Sequence, residues 1–228
     1  SDGSNSTIKG LDVAVIQDNI LPNETLSNLE VIDCKIDVVT FTPNSNFGST
    51  ANNILLQGNL VKSNMTFRAN NLAIINNVFR SETSTGIPQL TVSPGNTIFS
   101  NNIVKGYSIS LPGTGGLLTI QNCIFIAESS TTETINISIS AQQILEIRNS
   151  ITYNYGSGDL NFQTGNNINL INNQENVDPL FTFLEGGSGS LLGFNDFEPE
   201  LDDLTLQPNS PVVDDGLYEG YDFKPLGT

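Results

Sequence analysis

The chain has 228 residues with 24 carboxylates, eight Lys and Arg and no His, giving a formal net charge of −16. That balance disfavours nucleic acid and anionic membrane surfaces as partners. The missing His removes a His base, a Ser-His-Asp relay and any His-ligated metal, and two Cys, Cys34 and Cys123, are too few for a thiolate zinc site.

The first residues, Ser1 to Thr7, read as a polar, flexible leader of the kind left after processing, and no signal peptide is recognisable within the sequence. No run of 18 apolar residues occurs anywhere, so no membrane-spanning segment is predicted. Further along, one phrase returns: a middle slot with an apolar residue two places to either side. Its clearest copies are Ile74-Ile75-Asn76-Asn77-Val78, Phe99-Ser100-Asn101-Asn102-Ile103, Ile120-Gln121-Asn122-Cys123-Ile124 and Ile147-Arg148-Asn149-Ser150-Ile151. Weaker copies extend it in both directions, placing the slots at 18, 34, 58, 76, 101, 122, 149 and 172, an average spacing of 22 residues.

A period of that length marks a solenoid. The apolar residues are β-branched or aromatic and alternate with polar ones, which predicts short strands rather than helices. The fold class expected is therefore all-β, a single-domain parallel β-helix of about eight coils at about 4.8 Å per coil. In such a stack an Asn in one slot lies beneath the Asn of the next coil, so their amides can hydrogen-bond as a ladder. Asn also tolerates the left-handed conformation at a bend, which accounts for Gly58 filling one slot. Cys34 takes a slot and Cys123 follows one four coils later, which predicts a separation of about 19 Å, beyond the roughly 7 Å that a disulfide spans. Both Cys are thus expected to be free and structural.

The C-terminal part carries Val177-Asp178-Pro179-Leu180-Phe181 and then Leu204-Thr205-Leu206-Gln207-Pro208-Asn209-Ser210-Pro211-Val212-Val213-Asp214-Asp215-Gly216. This resembles the D-P-x-F … L-x-P-x-S-P-x-x-D-x-G ending of secreted bacterial β-helix repeat proteins, and the repeat resembles the right-handed parallel β-helix of the pectate-lyase-like fold. The resemblance implies a right-handed solenoid on an outer cell surface or outside the cell, with the ending closing the last coils. It departs in lacking a further Asp-Ile-Gly-Ala segment and the Arg-containing catalytic motifs of pectate lyases. Residues 1–50 are read as leader and first irregular coils or cap, 51–177 as regular coils and 178–228 as an acidic C-terminal cap. The caps would shield strand edges that otherwise pair with other molecules.

From Glu175 onward there are 12 carboxylates against the single basic Lys224. Asp196, Glu198, Glu200, Asp202 and Asp203 offer hard oxygens at alternating spacing and are the Ca²⁺ candidates, without the Gly and spacing of an EF-hand loop; a solvated acidic loop is the alternative. Apart from Ca²⁺ no cofactor is expected.

Counting four residues past each slot gives Lys62, Arg80, Lys105, Ile126 and Tyr153, and counting six past gives Asn64, Glu82, Tyr107, Glu128 and Tyr155. In register, these form a basic row beside tyrosines and carboxylates, suited to an extended sugar chain whose rings meet aromatic faces and whose acid groups meet cations. Lys62, Arg80, Lys105, Tyr107, Tyr153 and Tyr155 are the candidate ligand contacts. Arg80, Lys105, Glu82 and Glu128 are the only central cluster with both a base and a cation, as an eliminating lyase requires. The competing reading is a set of cross-coil ion pairs worth about 0–1 kcal/mol each.

The function expected is a secreted or cell-surface, non-catalytic, glycan-binding or adhesive protein, monomeric and with a polysaccharide as partner. A polysaccharide lyase or hydrolase acting on an anionic polysaccharide is the alternative. Ice binding by flat Thr rows finds no support, because Thr97, Thr119 and Thr152 do not share a column.

Overall fold

The computed structural model describes residues 5–17, 25–41, 50–62, 65–80, 89–93, 95–105, 108–111, 116–126, 137–139, 144–153, 162–163, 167–175, 177–183 and 203–210. Every regular element among them is a strand. In chain order these are β1 (Ser6–Lys9), β2 (Asp12–Gln17), β3 (Thr25–Ile32), β4 (Lys35–Phe41), β5 (Thr50–Gln57), β6 (Leu60–Val61), β7 (Met65–Arg68), β8 (Asn71–Ile75), β9 (Val78–Arg80), β10 (Gln89–Ser93) and β11 (Asn96–Ser100). There follow β12 (Ile103–Lys105), β13 (Ser108–Leu111), β14 (Leu117–Gln121), β15 (Ile124–Ile126), β16 (Ile137–Ile139), β17 (Ile144–Arg148), β18 (Ile151–Tyr153), β19 (Phe162–Gln163), β20 (Ile168–Ile171), β21 (Phe181–Phe183) and β22 (Asp203–Leu206).

One sheet runs β1-β3-β5-β8-β11-β14-β17-β20, with every neighbour parallel. A second runs β18-β15-β12-β9-β6-β4-β7-β10-β13-β16-β19, with β2 also on β4. Lys35 and Ile36 of β4 pair with β6, while Val39 to Phe41 pair with β7, so this sheet is two parallel stacks joined through one long strand. The protein is a parallel β-solenoid, as its repeat predicts. Its sheets begin at Ser6, and β1 to β4 share the columns of the later strands.

Alternation fills the interior. Ile8, Val31, Leu56, Ile74, Phe99, Ile120, Ile147 and Leu170 form one column of the first sheet. Ile36, Val61, Phe79, Val104 and Phe125 face them from the second sheet, and Thr152 continues that column. Phe99 stacks on Phe79 at 5.5 Å between ring centroids and on Phe125 at 6.5 Å, linking the two sheets.

The bends are where the Asn repeat acts, and here the expectation needs a correction. Bend conformation and ladder belong to two adjacent residues, not to one slot. Gly58, Asn76, Asn101, Asn122, Asn149 and Asn172 hold the left-handed conformation, with φ between 47° and 68°. The ladder is formed by the residues that follow them: Asn59, Asn77, Asn102, Cys123, Ser150 and Asn173. Cys34 joins this inner row, and its bend residue is Asp33 (φ 53°). Asp18, the first assigned slot, lies outside the described residues, and Gly10 (φ 66°) makes the first bend. At the later bends the left-handed residue turns the strand so that the next side chain is buried, where a hydrogen-bonding group reaches the turned backbone.

The row is consistent in direction. Asn59 Oδ1 accepts Cys34 N–H at 2.9 Å, and Asn77 Oδ1 accepts Asn59 N–H at 2.9 Å. Asn102 Oδ1 accepts Asn77 N–H at 2.8 Å, and Asn173 Oδ1 accepts Ser150 N–H at 3.0 Å. Their Nδ2 groups donate back to the carbonyls of Val31, Leu56, Ile74 and Ile147. Cys34 and Cys123 are free and buried, and the Cys123 thiol donates to the carbonyl of Phe99 at 3.5 Å and of Gln121 at 3.1 Å. Burial pushes that thiol from an ordinary 9.0 up to about 12, against the hydrogen bonds from Asn102 and Gln121 that lower it.

At the opposite bend, Gly116 has φ 103°, and a Cβ there would lie 2.5 Å from the carbonyl oxygen of Gly95 in the strand turn above, so stacked turns leave room for hydrogen alone.

The two halves of the C-terminal pattern meet. β21 pairs antiparallel with β22, Gln207 N–H donates to Leu180 O at 2.9 Å, and Ser210 Oγ–H donates to Pro179 O at 2.6 Å. Asp178 Oδ1 accepts Leu180 N–H at 2.8 Å, holding Leu180 at φ 49°. Val177 N–H donates to Thr152 O at 2.9 Å, which ties this unit to the second sheet.

Candidate functional site

Strand register brings the described part of the basic ridge into line. Lys105 pairs with Arg80 on one side and Ile126 on the other, and Ile126 pairs with Tyr153. These four positions therefore occupy one column of the second sheet, roughly 4.8 Å apart. Leu60 pairs with Val78 and Val61 with Phe79, so Lys62, the next residue, continues the column beside Arg80, and its N–H donates to Ile36 O at 2.9 Å. The column runs beside a buried one: Val61, Phe79, Val104, Phe125 and Thr152, each one place earlier in the chain, are all buried.

Within the column Ile126 is fully buried and Tyr153 half-buried, so an apolar position separates the cations from the tyrosine. The Tyr153 phenol is raised above its ordinary 10.0 by burial first and by the nearby Asp178 carboxylate second. Glu82, Tyr107, Glu128 and Tyr155 lie outside the described residues. So do Asp196, Glu198, Glu200 and Asp202, while Asp203 opens β22 opposite Phe183. Among the described residues no three His, Cys, Asp or Glu side chains gather as a metal site.

Two polar rows were not read from the repeat. Asn53 donates to Asn28 Oδ1 and Asn71 to Asn53 Oδ1, each at 3.0 Å, and Asn70 donates to Asn52, giving an exposed amide row on the early strands of the first sheet. Farther along, Gln121 Nε2 donates to Ser100 Oγ at 3.3 Å, Arg148 Nε donates to Gln121 Oε1 at 2.9 Å, and Arg148 meets Glu146 at 3.5 Å. The adjacent Asn-Asn pairs at 52–53 and 70–71 were the available signal for the first row. For the second, Ser, Gln and Arg share no pattern until register stacks them. Ile98, Leu117 and Ile144 stand 38–51% exposed on the outside of the same sheet.

The described surface is thus a set of straight polar and apolar rows rather than a cleft with converging acid and base groups. No protein-family profile, no curated protein and no solved structure matches the chain. No helix among the described residues is long and apolar enough to cross a membrane.

Proposed function

We propose that this is a secreted or cell-surface bacterial β-helix protein of the pectate-lyase-like type, closed by the C-terminal ending of that repeat class, which binds an anionic polysaccharide without cleaving it. The observation that carries the reading is the single column of Lys62, Arg80, Lys105 and Tyr153. Cations one strand apart address successive acid groups along an extended chain, each contact being stronger when bidentate to a carboxylate or sulfate. Against a net charge of −16, a local column of three cations supports attraction of a polyanion there.

The test is a binding screen against neutral and anionic polysaccharides, with each mixture followed for unsaturated ends and reducing sugar. Binding to anionic glycans that weakens with salt, falls about ten-fold or more in the Arg80→Ala, Lys105→Ala double variant and releases no product is expected. Product release would install the lyase or hydrolase alternative, and unchanged binding in the double variant would remove the column.

A further inference from the structure

The exposed amides of the first sheet belong to one straight strip. Asn71 pairs in register with Asn96, Asn96 with Leu117 and Leu117 with Ile144. Asn53 lies beside Asn71 and Asn28 beside Asn53, each joined by an amide hydrogen bond of 3.0 Å. The strip therefore crosses β3, β5, β8, β11, β14 and β17, roughly 24 Å at about 4.8 Å per strand. Asn53, Asn71, Asn96, Leu117 and Ile144 are all exposed. On one side, a file one residue earlier in the chain holds Asn52 and Asn70 and continues as Gly95 and Gly116, which place no side chain next to Asn96 and Leu117. On the other, Ile98 is 44% exposed.

The chemistry of the strip narrows what can lie on it. None of its residues is charged, although the chain carries a net −16, so an acidic polymer meets no cation there and is repelled by the rest of the molecule. A primary amide has two N–H donors and an oxygen with two lone pairs. Asn53 donates one N–H to Asn28 and accepts one from Asn71, which leaves it one donor and one lone pair for another partner. A hydroxyl supplies both complements at once. A peptide strand laid along the strip would advance by about 3.3 Å per residue and fall out of step, whereas an extended chain of sugar rings advances by close to one strand spacing per ring.

We propose that this strip is a second binding surface, for a straight, neutral polysaccharide. Sugar hydroxyls hydrogen-bond the amides of Asn53, Asn71 and Asn96, and the C–H faces of the following rings cover Leu117, Ile144 and Ile98. The surface uses none of Lys62, Arg80 and Lys105, so it stands apart from the basic column.

Calorimetric titration of the full chain with cellohexaose and mannohexaose, which are extended, and with maltohexaose, which coils, tests this. An extended hexasaccharide should bind, and maltohexaose should bind at least about ten-fold more weakly. The Asn71→Ala, Asn96→Ala double variant should lose about ten-fold or more. Asn96→Ala alone, which removes neither of the 3.0 Å amide bonds, should lose less, with circular dichroism confirming that both are folded. Arg80→Ala with Lys105→Ala, or added salt, should leave the neutral chain's affinity unchanged. Absence of binding to both extended chains, equal affinity for maltohexaose, an undiminished double variant or binding that falls with salt would each overturn the proposal. So would a sugar-independent change in sedimentation in the double variant, which would assign the strip to a second copy of the chain.

Discussion

Asn102 holds Asn77 in place through its own side chain: Asn102 Oδ1 accepts both the backbone N–H of Asn77 at 2.8 Å and its Nδ2 at 3.1 Å. Asn77 in turn serves Asn59 in the same way and donates to the carbonyls of Leu56 and Ile75. All three ladder Asn are essentially inaccessible to water, so none of these groups has a substitute partner.

Asn77→Ala should therefore destabilise the fold by about 2–4 kcal/mol, since it leaves the buried Asn59 N–H without its acceptor, removes a donor from the carbonyls of Leu56 and Ile75 and opens a small void. Urea denaturation measures it, and Asn76→Gly, which changes the bend residue while keeping a left-handed bend, should cost much less. Equal losses in the two variants would contradict the division of roles between bend and ladder.

The ladder weakens at Cys123, where a thiol stands in the row between the amide of Asn102 and the hydroxyl of Ser150. Replacing it with Asn should stabilise the protein by about 0.5–1.5 kcal/mol, because a strong acceptor then meets Asn102 N–H. A lower urea midpoint in Cys123→Asn would mean that volume, not hydrogen bonding, decides this position.

The same thiol predicts a pH dependence. Its folded value of about 12 lies above the ordinary 9.0, so below about pH 9 both states keep the proton and the full stability is present. Above that the unfolded chain releases its proton while the folded chain keeps it, and stability falls by about 1.4 kcal/mol per pH unit until the folded value is reached. Urea midpoints of the natural protein and Cys123→Ser compared from pH 8 upward should diverge in that direction. The native protein should also resist thiol reagents at Cys123 until it is unfolded.

Phe99 lies between Phe79 and Phe125 and is 1% exposed. Phe99→Ala should cost about 3–5 kcal/mol. Phe99→Leu should recover a good part of that, since the neighbouring levels place Ile74 and Ile120 in the same column.

Gly116→Ala should destabilise by about 1–3 kcal/mol, as φ 103° and the Gly95 carbonyl both exclude a Cβ. Differential scanning calorimetry reads the drop in Tm. An unchanged Tm would show that the stacked turn can move apart at no cost.

How much was legible in the chain follows from which facts are local. Period-two alternation around Ile74, Phe99, Ile120 and Ile147 specifies strands and their buried face, because a side chain's direction in a strand depends only on its parity. A repeat of about 22 residues specifies stacking, because each level can bury its apolar face only on its neighbours. The alignment of Arg80, Lys105, Ile126 and Tyr153 was legible too, since no loop intervenes between each bend and the short strand after it.

Only the tertiary structure decided which of two adjacent residues bends and which ladders, since Asn76 and Asn77 are identical in type and differ only in the backbone angle that stacking imposes. It also decided that Ser100, Gln121 and Arg148 form a row and that Pro179 meets Ser210. Those relations join residues at separations that vary with loop length, and hydrogen bonds across them exist only once the levels have stacked. The sequence by itself therefore determined the strand, the period and the buried face, while long-range packing determined which polar group answers which.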